Sequence, residues 1–175
     1  DAIFYVKVDL SSTADTVIYF WYGTPAITGT ESKTSVWTNG FRIFHFEGNA
    51  NDSSSSATNG SVTGATNGTG LVGNGYSFDG NDYISLGTVA FPASFTIMVW
   101  SKTGTVTSGK AYTIWDFNNG TTVCYLRSPD YTYGNDEATY GDNKGASLDG
   151  TRTVCGDSAY HLLTVVGNGT TGRYL

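Results

Sequence analysis

Short runs in which apolar and polar residues alternate recur along this chain, and almost every one has the period of a strand. "IFYVKVDL" (residues 3–10) and "DTVIYFWYG" (15–23) flank the polar "SSTA", which predicts a hairpin or a pair of strands. Residues 25–35, "PAITGTESKTS", carry no period and are expected to be a linker. In "VWTNGFRIFHFEG" (36–48), Phe41, Ile43 and His45 share one face while Arg42, Phe44 and Phe46 share the other. Both faces are partly apolar, so the segment is expected to be covered on both sides.

From 48 to 74 the chain is rich in Gly, Ser, Thr and Asn and poor in large apolar residues. It predicts a long surface loop with a short strand near "SVTGA" (61–65). "GYSFDGNDYISLG" (75–87) predicts a strand, a tight turn at "FDGND", and another strand. In "SFTIMVWSKTG" (94–104), Phe95, Ile97 and Val99 alternate with Thr96, Met98 and Trp100, and Phe78, Ile97 and Val99 are expected to face the core. "AYTIWDFNNGTTVCYLRS" (111–128) predicts a hairpin around Asn118, Asn119 and Gly120, and "SAYHLLTVVGNGTTGRYL" (158–175) predicts another. No window holds a sustained helical period or approaches the roughly 18 apolar residues of a membrane span.

Composition agrees with an all-β chain: 23 Gly but only 3 Pro in 175 residues suit short strands joined by turns. The net charge of -6 and the scatter of the 9 basic residues argue against a nucleic-acid partner, because phosphates would be repelled. Cys124 and Cys155, the only cysteines, are expected to pair as a disulfide, with two buried thiols as the alternative. Asn-x-Ser/Thr triplets begin at Asn51, Asn59, Asn67, Asn119 and Asn168 and permit glycosylation. An extracellular or cell-surface location is the expectation.

The succession of "VWTNGFRIFHFEG", "NDSSSSATNGS", "GLVGNGYSFDGNDYISLG", "SFTIMVWSKTG" and "YHLLTVVGNGTTGRYL" resembles the laminin-G-like, concanavalin A-like domains of microbial surface proteins. Phe78-Asp79-Gly80 and the strand ending in Trp100 are the most specific parts; Tyr160 stands before His161 where that pattern has Trp. The resemblance implies a two-sheet antiparallel jelly-roll sandwich over residues 36–175, incomplete at its C-terminal end. Residues 1–24 resemble the tail of a small β domain that precedes such modules. They are expected to form an N-terminal β appendage, joined by the linker at 25–35.

Three kinds of chemistry follow. Calcium takes six to eight oxygens, and Asn51 and Asp52 on one loop with Asp79, Asn81 and Asp82 on another are the candidate ligands. The alternative is that the second group is a turn whose carboxylates accept their own N–H groups. Carbohydrate binding needs aromatic faces beside fixed polar groups, and Trp115, Tyr125, Arg127, Tyr131, Tyr133, Asp136 and Tyr140 are the candidates. A self-packed aromatic loop is the alternative. A glycoside hydrolase needs two opposed carboxyl groups, and Glu31, Glu47 and Glu137, the only glutamates, stand in no such arrangement. His45 and His161 lie within strands and are expected to be packing residues.

The functional expectation is therefore a non-enzymatic adhesion or carbohydrate-binding module with a glycan or surface-protein ligand. The alternative is a filament subunit that self-associates through open strand edges, with "IFYVKVDL" and "DTVIYFWYG" as donor strands.

Overall fold

A computed structural model describes residues 3–20, 22–23, 32–90, 92, 94–104, 111–118, 123–130, 139–142, 147–149, 157–168 and 172–174. The chain is all-β among these residues apart from one helical turn, α1 (Lys33–Val36). It divides into two compact units, Asp1–Val89 and Ala90–Leu175.

In the first unit the predicted N-terminal strands form no ladder among the described residues. They do reverse direction at "SSTA", where the Ser11 N–H donates to Thr16 Oγ1 and the Ala14 N–H to Ser11 Oγ. The Phe4 and Phe20 rings then meet edge to face at 4.8 Å. α1 is a single turn because Ser32 gives it no side-chain cap and four residues cannot repay nucleation.

The segment after α1 departs from the strand expected over 36–48. Phe44 makes one isolated antiparallel bridge to Asp52, and the Ser53 N–H donates to the Ile43 carbonyl at 2.8 Å. Phe46 adopts a φ of 59°, outside the β region, so regular pairing cannot run through it. Its ring stacks on Phe44 and meets Tyr76 edge-on. Arg42, Ile43, Phe44, His45 and Phe46 are all half-buried, as two partly apolar faces predict.

The strands β1 (Ser61–Thr63), β2 (Thr66–Thr69), β3 (Asn74–Ser77) and β4 (Tyr83–Ser85) follow. β2 pairs with β3, and β1 pairs with β4 around them. The FDGND turn thus carries the chain from one two-stranded ladder to the other. Phe78, expected to face a core, is 53% exposed. It lies just beyond the last paired residue of β3, so no ladder fixes its side.

In the second unit β5 (Phe95–Ser101) pairs with β10 (His161–Asn168), which pairs with β11 (Gly172–Tyr174). The predicted alternation holds. Phe95, Ile97 and Val99 are half-buried, while Met98 and Trp100 are exposed. Leu163 and fully buried Val165 form the center of a core with Phe95, Val99, Ile114, Trp115 and Phe117.

The second sheet has the order β6 (Ala111–Asn118), β7 (Val123–Asp130), β8 (Thr139–Asp142) and β9 (Ser147–Asp149). Both predicted hairpins form, β6 with β7 and β10 with β11. The β6–β7 register slips on either side of Thr113, close to Pro129, which has no N–H to give a ladder. Successive residues Ile114 and Trp115 both reach the core after that irregularity.

Candidate functional site

An open cleft of about 280 Å³ lies in the first unit, lined by Ile3, Tyr5, Lys33, His45, Phe46, Glu47, Asn49, Asn51 and Ser53. Its aromatic wall, Tyr5 with His45 and Phe46, comes from two segments, and Trp37 on a third packs against it. Tyr5 stacks on His45 with centroids 4.3 Å apart, and Trp37 leans on both rings at 5.5 Å. Lys7 Nζ donates to Thr38 Oγ1 at 3.0 Å and holds the N-terminal segment against the turn that carries Trp37. Burial in this stack pushes the His45 pKa down, against the pull of Glu47 in the other direction, so the imidazole is neutral at pH 7.

The polar rim is largely committed to its own backbone. Both Glu47 carboxylate oxygens accept the Asn74 N–H at 3.1 Å. Gly73 sits beneath them with a φ of +64°, and a Cβ there would collide with Glu47 Oε1 and Ile3 Cδ1. Asn49 Nδ2 donates to the Glu47 carbonyl, and Asn49 Oδ1 accepts the Asn51 N–H. Lys33 Nζ reaches the Asp52 carbonyl at 3.4 Å. The Asn51 carboxamide makes no hydrogen bond with described residues and stands exposed at the cleft.

Behind the rim, Asp52 is fully buried. The N–H groups of Ile43, Ser54 and Thr58, the Ser54 and Ser56 hydroxyls and Arg42 Nη1 all lie 2.8–3.2 Å from its oxygens. A carboxylate offers about four lone-pair directions, so this one is saturated. Burial alone would raise its pKa; the hydrogen bonds from Ile43, Ser54 and Ser56 outweigh burial and hold the carboxyl far below its usual range.

This changes the account of the cation candidates. Asp52 faces donors, and a cation there would have to displace Arg42 and five others. Asp79 and Asp82 come together, since Asp82 Oδ2 accepts the Asp79 N–H at 2.9 Å. Asp82 Oδ1 occupies the space that a Cβ on Gly64 would need, and Gly64 has a φ of +78°. Asn81 is exposed in the same turn, and Asn51 lies at the cleft. Among the described residues no three His, Cys, Asp or Glu side chains converge on one point, so Asp52 does not join Asp79 and Asp82 there.

Of the aromatic candidates, those on described residues lie on the adjacent strands β6, β7 and β8. Trp115 is half-buried against the Leu163–Val165 core. Tyr125 and Arg127 lie on β7, and Tyr140 on β8 is paired in register with Leu126. Tyr131, Tyr133 and Asp136 lie outside the described residues, as does Cys155, so the disulfide does too. Cys124 lies on β7 opposite Phe117. Of the glutamates, Glu47 lines the cleft, Glu31 and Glu137 lying outside the described residues.

The cleft residues Ile3, Tyr5, Lys33 and Asn49 carried no distinguishing pattern in the sequence. One signal was present: a histidine between two phenylalanines, Phe44-His45-Phe46, in a segment whose alternation puts aromatic rings on both faces. The chain matches no protein-family model, no curated protein and no solved structure.

Proposed function

We propose that this chain is a non-enzymatic adhesion module of a secreted or surface protein that binds carbohydrate, built on a laminin-G-like jelly roll over residues 36–175. The observation that carries the reading is the cleft, where an exposed aromatic ring, Tyr5, stands beside the unengaged Asn51 carboxamide. Sugar sites use that combination, an apolar ring face for pyranose C–H groups and amides for hydroxyls. A hydrolase would need two opposed carboxyl groups, and Glu47 is the one carboxylate among the described residues lining the cleft. A glycan array probed with the full chain tests the proposal. Binding that Tyr5→Ala abolishes supports it, and silence across the array from folded protein rejects it.

A second reading, a filament subunit joined by exchanged strands, is favoured by a different observation. Val6, Leu10, Val17, Tyr19, Phe20 and Tyr22 are all at least 60% exposed, on segments with strand periodicity and no ladder among the described residues. Electron microscopy and size-exclusion chromatography separate the readings. Polymers that disappear with Val6→Lys and Phe20→Lys favour the filament, and monomers at all concentrations reject it.

A further inference from the structure

Building on the carbohydrate-binding reading, we propose that the cleft selects a sugar unit bearing an N-acetyl group, an N-acetylhexosamine, over the corresponding hexose. Three neighbouring side chains lead to this class. Tyr5 is 47% exposed although its ring is stacked on His45 and Trp37 tilts against it, so aromatic surface remains for a pyranose ring. Asn51 uses its backbone N–H on Asn49 Oδ1, which leaves both functions of its carboxamide, donor and acceptor, without a partner among the described residues. Ile3 lines the same cleft and is 39% exposed, an apolar side chain among polar ones.

An acetamido substituent matches this set group by group. Its amide offers one donor and one acceptor to the Asn51 carboxamide, its methyl has Ile3 as an apolar contact, and the ring that bears it stacks on Tyr5. A hexose hydroxyl at the same position lacks the methyl and presents no amide. Charge does not favour an acidic sugar. Lys33 and Glu47 carry opposite signs in the cleft, His45 is neutral, and Glu47 is already engaged by the Asn74 N–H. The contribution of a methyl contact in an apolar subsite sets the scale of selectivity at about tenfold or more.

The test is isothermal titration of the full chain with chitotriose and with cellotriose, which differ at each ring only in the acetamido group. Chitotriose is expected to bind about tenfold more tightly or better. Ile3→Ala and Asn51→Ala are expected to weaken chitotriose more than cellotriose and so reduce that ratio toward one, and Tyr5→Ala to weaken both sugars. Circular dichroism verifies the fold of each variant. Equal affinity for the two sugars, or a ratio that survives both Ile3→Ala and Asn51→Ala, overturns the N-acetyl preference and leaves carbohydrate binding standing. Silence toward both trioses overturns the preference as well; only silence across a whole glycan array also removes the reading beneath it.

Discussion

Arg42 and Asp52, ten residues apart, meet at 3.2 Å on a carboxylate that solvent does not reach. Their contact ties the segment at 41–46 to the Asp-Ser-Ser loop, and backbone bonds from both sides converge on the same two oxygens. The loop is polar enough to pass for linker on composition, yet its acid is among the most enclosed side chains described.

Removing the two partners is expected to have unequal effects. Asp52→Ala leaves a largely buried guanidinium and five further donors without their acceptor, and is expected to destabilise the first unit by about 3 kcal/mol. Arg42→Ala leaves the carboxylate its other donors and is expected to cost about 1 kcal/mol. Urea unfolding of the two variants gives the ranking, and equal losses would contradict a hub centred on Asp52.

The same carboxylate sets an acid limit. Its folded pKa lies far below the unfolded value of about 3.9, so its contribution is complete above that value and is lost as the pH falls through the folded pKa. Asp157, lowered by the Ala159 N–H and by His161, adds a dependence of the same sign. Asp52→Asn is expected to be less stable than the parent near pH 7, with the gap narrowing at about pH 2.5. Urea midpoints at the two pH values measure it.

His45 provides a second titration with its own window. Burial favours the neutral imidazole, so stability is complete above pH 6.5 and declines as the pH falls below it through the depressed folded pKa. A proton NMR titration is expected to place the His45 midpoint below 6.5, and Tyr5→Ala, which removes the stacked ring, to move it upward.

The two faces of the β5–β10 pair are expected to respond differently to truncation. Val165→Ala opens a void in the core and is expected to cost about 2 kcal/mol. Met98→Ala, on the exposed face, is expected to stay within about 0.5 kcal/mol of the parent. Thermal or urea unfolding of the pair checks the assignment of faces.

How far the sequence could be read depended on range. β5 was legible because period-2 alternation over seven residues fixes which side chains face inward, and the hairpins of β6–β7 and β10–β11 followed from their turn residues. Phe78 was misplaced because it falls one residue past the end of β3, where periodicity no longer governs orientation. Asp52 is a cation candidate in the sequence because an acid beside Asn and Ser looks alike whether its oxygens face a metal or a ring of N–H donors. The approach of Ile43 and Arg42 from another segment is visible only in the fold. The cleft was illegible for the same reason, since Tyr5 and His45 are forty residues apart and no local pattern brings their rings into contact.

The enclosure of the β2–β3 hairpin by the β1–β4 pair bears on how the first unit acquires its structure. Closing a chain segment into a ring costs entropy that grows with the length left slack, so zipping Thr66 to Ser77 first shortens the span that Thr63 and Tyr83 must bridge. Assembly from the inside outward is therefore the order that divides the cost into small closures, and Gly64 together with the FDGND corner, which join the inner ladder to the outer one, are the positions expected to bear on its last stage.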